Sequence, residues 1–218
     1  MKYKLIVFDI DGTITRHISS WRYIHEKLGL WDALAHRYQD EFLIGNISYK
    51  KFCELDANHW KGLPEKRIRK IFAEIPYSRN AVSYIEKLRQ MGFVLVALST
   101  GLQFMTDRVK KELKFHYVLS NRLISRKGIL TGGIKINITH GAKDRILKNV
   151  LKKFGMKPSE TVSIGDSDGD IPIAKLSGYS IAFNSSSEVL SKTADYNCKT
   201  KDFAEVFKRI LEITGNKV

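Results

Sequence analysis

Leu5-Ile6-Val7-Phe8-Asp9-Ile10-Asp11-Gly12-Thr13 is the stretch whose reading decides the fold. Its first four residues are a continuous apolar run, the pattern of a strand buried on both faces, as in a parallel sheet. Two carboxylates follow at once, Asp9 and Asp11, and Gly12 lets the chain turn sharply. An acidic residue directly after a buried strand lies at that strand's carboxyl end, where open α/β sheets bind their ligands. Carboxylates held this close repel unless a cation or a shared proton compensates. A hard divalent ion such as Mg2+ prefers oxygen ligands and would supply that charge. Asp and Gly are also ordinary β-turn residues, so the turn alone leaves both readings open.

Working outward, the chain alternates buried strands with amphipathic helices. The run 93–98 reads as a strand that ends in Ser99-Thr100-Gly101, and a helix is expected over 102–113. Tyr117-Val118-Leu119 reads as a short strand, and residues 121–138 as a small β-hairpin turning at Lys127-Gly128. A basic amphipathic helix over 141–154 carries Lys143. The strand 161–164 then runs into Gly165-Asp166-Ser167-Asp168-Gly169-Asp170, followed by a helix from Ile171, a strand over 179–183 and a closing helix over 203–213. This alternation predicts an α/β fold, a doubly wound parallel sheet. Residues 19–72 carry no strand signal and read as four helices, more than a crossover needs. The expected organisation is a catalytic core of residues 1–14 and 77–218 with an inserted four-helix cap over 15–76.

Composition narrows the class. A chain of 218 residues that is 43% hydrophobic and 28% charged can bury a sizeable core. Its two cysteines, Cys53 and Cys198, lack metal-type spacing and read as free thiols of a reducing compartment. A strand starts almost at residue 1, so no leader is expected, and no apolar run nears the ~20 residues of a membrane span. A cytoplasmic monomer or homodimer is the expectation. The net charge of +14 is spread along helices and forms no long block, so no nucleic-acid partner is expected. Solvated helix faces, attraction of an anionic substrate and adaptation to heat each fit that charge.

Three strand ends carry small or acidic polar residues: Asp9 and Asp11, Ser99 and Thr100, Asp166 and Asp170. In a parallel sheet these ends share one edge, which suits phosphoryl transfer. There Asp9 can act as nucleophile, and Asp11 can give and take the proton. Ser99, Thr100, Gly101 and Lys143 can bind phosphate oxygens, and a metal neutralises their charge. Arg16 and His17 adjoin the turn and are candidates for touching substrate. Asp168 reads as an exposed turn residue, and Trp21, Trp31 and Trp60 as packing within the helical insert.

The order of these motifs resembles the haloacid dehalogenase superfamily across nearly the whole chain. Asp9-Ile10-Asp11-Gly12-Thr13 is similar to its DxDGT signature, Ser99-Thr100-Gly101 to its second motif, Lys143 to its third and Gly165 to Asp170 to its fourth. The helical insert resembles a type-1 cap on a Rossmann-like core. Ser120-Asn121-Arg122-Leu123 and Leu130-Thr131-Gly132 look most like the phosphoserine phosphatase branch. The resemblance implies a phosphatase with Asp9 as nucleophile and Asp11 as acid and base. It further implies Mg2+ held by Asp9, Asp166 and the Asp11 carbonyl, with Asp170 in support, and a small phosphorylated substrate.

The sequence also departs from that branch. Where the branch carries a Glu for the substrate amine, this chain has Ile18 or a neighbour; where the branch carries an Arg for the substrate carboxylate, it has Glu54 or a neighbour. Gly169 stands where the branch usually has Asn. The expected activity is therefore hydrolysis of a small phosphomonoester. Phosphoserine phosphatase proper and transfer to an acceptor other than water are alternatives, and a nucleic-acid-binding protein on a phosphatase scaffold is a more distant one.

Overall fold

A computed structural model describes residues 2–17, 19–31 and 33–216. Strand β1 (Leu5–Phe8) is fully buried and central, as its unbroken apolar run requires. It pairs in parallel with β2 (Val94–Leu102) on one side and β5 (Thr161–Gly165) on the other. The sheet continues with β3 (Tyr117–Arg126) and β4 (Ile129–Lys135) beyond β2, and with β6 (Tyr179–Phe183) and β7 (Tyr196–Cys198) beyond β5. The strand order is β4-β3-β2-β1-β5-β6-β7. Only β4, among the described strands, runs antiparallel to its neighbour. The functional strand ends therefore share one edge.

Side chains alternate across β1 and so sort the helices into two layers. Ile6 and Phe8 pack toward α5 (Ala81–Gln90), α6 (Gln103–Leu113) and α10 (Phe203–Thr214) through Ile85, Val109 and Phe203. Leu5 and Val7 pack toward α7 (Lys143–Phe154) and α8 (Ile171–Leu176) through Leu147, Val150 and Ile173. Between β1 and α5 lie α1 (Ser20–Leu28), α2 (Ala33–Leu43), α3 (Tyr49–His59) and α4 (Glu65–Ala73). Ser19 and Ser48 cap α1 and α3 by accepting from the amides of Arg22 and Lys51. The apolar core on the Phe8 side runs on into these helices through Ile24, Cys53, Trp60 and Phe72.

The hairpin β3–β4 clamps the helices to the sheet. The Leu130 amide donates to the Leu63 carbonyl at 2.9 Å, and the Gly62 amide to the Leu130 carbonyl at 2.8 Å. The Glu65 amide reaches the Gly128 carbonyl at 2.8 Å, and Ser125 Oγ donates to Glu65 Oε2 at 2.6 Å. The loop between α3 and α4 thus covers an edge strand that would otherwise expose unpaired backbone. Lys127 and Gly128 both have positive φ, 49° and 76°, which fits the tight turn expected there.

Several boundaries differ from the sequence reading. The strand expected over 93–98 runs on to Leu102, because Leu102 pairs with Asn121 after an irregularity that follows Leu98. The short strand 117–119 and the first arm of the hairpin are one continuous strand, β3; polar Ser120 and Asn121 hide this by interrupting the apolar pattern. The helix expected from Gly141 starts at Lys143, with Gly141 at φ 74° ahead of it. Helix α9 (Glu188–Thr193) and strand β7 were not anticipated, being too short to show a period. No described helix is long and apolar enough to cross a membrane.

Phe8 tests the core. Its ring meets Phe115 edge-on at 5.4 Å and stacks on Phe203 at 6.3 Å. Phe8→Ala is expected to destabilise the fold by about 3–5 kcal/mol in urea unfolding. A loss under about 1 kcal/mol would contradict this packing.

Candidate active site

The backbone turns at once after β1, with Gly12 at φ 83°. A Cβ on Gly12 would lie 2.2 Å from Asp166 Oδ2, so only glycine lets the turn approach the β5 end this closely. Thr13, fully buried, donates from Oγ1 to Asp166 Oδ1 at 3.0 Å. The turns after β1 and β5 are thereby joined, and they bring ligand oxygens of Asp9, Asp166 and Asp170 within 4.8 Å of one another.

Lys143, at the first turn of α7, is 2% exposed and enters this cluster. Its Nζ donates to Asp9 Oδ1 at 2.5 Å and to Asp170 Oδ1 at 2.6 Å. Asp170 Oδ2 accepts from the amides of Asp166 and Ser167 at 3.1 and 3.2 Å, so both of its oxygens are engaged. Asp9 Oδ2 and Asp166 Oδ2 have no hydrogen bond among the described residues.

Electrostatics follow from burial. Burial pushes the Asp9 carboxyl well above its ordinary value; Lys143 opposes this, and Asp170 and Asp166 add to it. Burial, then Asp170, pushes Asp166 up to about 7. Burial pulls the Lys143 ammonium down, but Asp170 and Asp9 outweigh it and hold Lys143 charged. Three buried carboxylates facing one ammonium leave negative charge unmatched. An all-oxygen donor set with unbonded lone pairs at Asp9 and Asp166 fits a hard divalent cation.

Asp11 stands apart from the cluster and is only partly buried. Its Oδ2 accepts from the Ser20 amide at 3.0 Å and from Ser20 Oγ at 2.6 Å. Burial raises its carboxyl despite these two bonds, which favours a protonated group that can donate. The chain 99–101 closes the other side: a Cβ on Gly101 would lie 2.8 Å from Asp11 Oδ2 and 3.0 Å from Ser99 Oγ. Ser99 Oγ accepts from the Gly101 amide at 2.9 Å. The Thr100 carbonyl accepts from Trp21 Nε1 at 3.2 Å.

The structure thus gathers Asp9, Asp166, Asp170 and Lys143 in one cluster, and sets Ser99 and Gly101 against Asp11. Arg16 is exposed. His17 is half-buried, with its ring 4.4 Å from Tyr23. Ile18 lies outside the described residues. Glu54 is exposed beside Lys50, whose Nζ lies 3.8 Å away. Asp168 is exposed and accepts from Ser187 Oγ, as a turn residue does. Burial pushes the Cys53 thiol up to about 12, which suits inert packing.

Sequence reasoning missed Ser20 as the partner of Asp11. The signal was present, since two serines stand where one cap is needed and Ser19 takes that role. His140 was missed too. It lies beside Gly169, with its ring 5.7 Å from Phe42 and 6.3 Å from Tyr49.

The chain belongs to the haloacid dehalogenase-like hydrolase family, whose pattern matches residues 6–175. It is 31% identical over 193 residues to a phosphoserine phosphatase of Archaeoglobus fulgidus, covering 88% of this chain and 55% of that protein. The chain thus spans just over half the length of that relative. It is 28% identical over 210 residues to a phosphoserine phosphatase of Methanocaldococcus jannaschii, covering 96% of this chain and 98% of that one. A solved phosphoserine phosphatase with a phospho-aspartyl intermediate analogue superposes with a TM-score of 0.82 at 28% identity, covering 96% of this chain and 99% of the other. A substrate-bound phosphoserine phosphatase complex gives 0.83 at 27%, with the same coverage.

Lys143→Met tests the charge balance. It leaves Asp9, Asp166 and Asp170 crowded without an ammonium, and about 3–5 kcal/mol of stability is expected to be lost at neutral pH without metal. The carboxyls of Asp9 and Asp166, already raised by burial, lose the opposing ammonium, so the folded state binds more protons than the unfolded and stability falls as pH rises. Urea unfolding should therefore recover part of the loss near pH 5; an equal loss at both pH values would contradict the charge balance.

Proposed function

We propose that this chain is a Mg2+-dependent phosphomonoester hydrolase that acts on a small phosphorylated metabolite through an aspartyl-phosphate on Asp9. The observation that carries this reading is the cluster of Asp9, Asp166 and Asp170 within 4.8 Å, with Lys143 2.5 Å from Asp9, at the carboxyl edge of a parallel sheet.

An Asp9 oxygen attacks phosphorus, and the phosphorus–oxygen bond to the leaving group breaks. Asp11 gives its proton to the departing oxygen, which leaves as an alcohol. Water then gives a proton to Asp11 as its oxygen attacks the same phosphorus. Asp9 is released as a carboxylate, and inorganic phosphate departs. Lys143 and the Ser99 hydroxyl bind phosphoryl oxygens, and Thr100 and Gly101 shape the loop around them. Asp9, Asp166 and the Asp11 carbonyl are the oxygens this chain offers Mg2+, with Asp170 holding Lys143 in place. When bound, the ion supplies Lewis-acid charge to the phosphoryl group.

We assign residues 15–76 to a cap that shields the transfer from water and selects the leaving group, with Arg16 and His17 nearest the catalytic turn. The free, buried thiols of Cys53 and Cys198 support a reducing, cytoplasmic setting. A second reading, phosphoserine phosphatase proper, is favoured by the relatives that carry that name.

Asp9→Asn is expected to lower hydrolysis of an aryl phosphate by more than about a thousandfold. EDTA should silence the wild type and Mg2+ restore it. Unchanged turnover by the variant, or full activity after chelation, would contradict the reading. A panel of phosphorylated metabolites that includes phosphoserine, scored by kcat/KM, separates the two substrate readings.

A further inference from the structure

Between Leu98 and Leu102 the chain of β2 takes four steps while β3 takes two, from Leu119 to Asn121. Residues 99–101 therefore leave the ladder, and their backbone groups need other partners. The Thr100 carbonyl receives three: Trp21 Nε1 at 3.2 Å, Tyr49 Oη at 3.0 Å and Asn121 Nδ2 at 3.0 Å. Trp21 and Tyr49 come from α1 and α3, whereas Asn121 comes from the sheet.

Asn121 is fully buried, and its whole amide is engaged. Nδ2 donates to the Thr100 carbonyl and also to Tyr49 Oη at 3.0 Å. Oδ1 accepts from the amides of Asn137 and Ile138 at 2.9 and 3.0 Å. Two N–H donors at one end fix which end is oxygen. One side chain thus joins α3, the loop 99–101 and the segment that leads into Lys143.

The Thr100 carbonyl and the Gly101 N–H belong to one planar peptide, so holding one holds the other. That N–H donates to Ser99 Oγ at 2.9 Å, which occupies the oxygen as an acceptor and leaves its own O–H free to donate outward. We propose that Asn121 and Tyr49 are positioning residues: they couple the seating of the helices on the sheet to the orientation of the Ser99 hydroxyl. When α3 lifts away, the Thr100 carbonyl loses Tyr49, the 100–101 peptide is free to rotate, and Ser99 is no longer aimed. The role of Ser99 toward phosphate rests on the phosphatase reading; the link between α3 and the loop does not.

Two measurements on the full chain test this separately. In hydrogen exchange, Tyr49→Phe keeps the ring, removes one hydroxyl and should speed exchange of the amides of residues 99–102 by about fivefold. In kinetics with p-nitrophenyl phosphate, Tyr49→Phe should raise KM about fivefold with kcat within about twofold. Asn121→Ala should cost more, and adding Tyr49→Phe to it should change kcat/KM by less than about twofold, because both act through one carbonyl. Effects that multiply independently, or unchanged exchange at 99–102, would overturn the proposal. Faster exchange in a chain without phosphatase activity would uphold the link and overturn the phosphatase reading instead.

Discussion

The ammonium of Lys143 between Asp9 and Asp170 is the interaction on which the rest of the site depends. Without it, three buried carboxylates would face one another across less than 5 Å with no positive charge among them. Burial raises the carboxyls of Asp9 and Asp166, so the fold keeps them ionised at a cost that a cation offsets. The ammonium offsets part of that charge. The remainder, with open lone pairs at Asp9 and Asp166, is what draws a divalent ion to this edge. The same arrangement separates the two acids of the first turn. Asp9 lies inside the cluster against Lys143, and Asp11 lies outside it against Ser20. That separation sets Asp9 against an ammonium and Asp11 against a hydroxyl and a backbone amide.

The sheet supplies rigidity and the helices supply access. The carboxyl ends of β1 and β5 are fixed by parallel pairing, so Asp9 and Asp166 are held by the most buried part of the molecule. The helices α1–α4 meet this edge at two places. The hairpin β3–β4 grips the loop between α3 and α4, and Trp21 and Tyr49 reach the Thr100 carbonyl. Under the proposed function, groups that bind phosphate and groups that meet the leaving group sit on different elements. Such a division lets one core serve many substrates.

Much of the fold was legible because it rests on local pattern. The apolar runs 5–8, 93–98 and 161–164 are buried strands, and serine caps mark the starts of α1 and α3. Asp9, Asp166 and Asp170 were legible because parallel strands put their ends on one edge, and Lys143 because it starts the helix after the hairpin, as in the family's third motif. Contacts between residues distant in sequence were not. Tyr49 and Asn121 are 72 residues apart, and nothing near either one announces the other. The irregularity at 99–101 was hidden because it depends on the register between two strands. The substrate side was the least legible. Arg16 and Glu54 lie exposed, and His17 sits against Tyr23.

The division of labour between Asp9 and Asp11 is tested most directly by trapping the intermediate. Borohydride added during turnover of an aryl phosphate reduces an acyl phosphate to the alcohol, so the modified aspartate is read as homoserine in the peptide mass spectrum. Conversion at residue 9 that depends on substrate, with residue 11 unchanged, is the predicted result. Continued turnover with Asp9 intact, or conversion at Asp11, would contradict it.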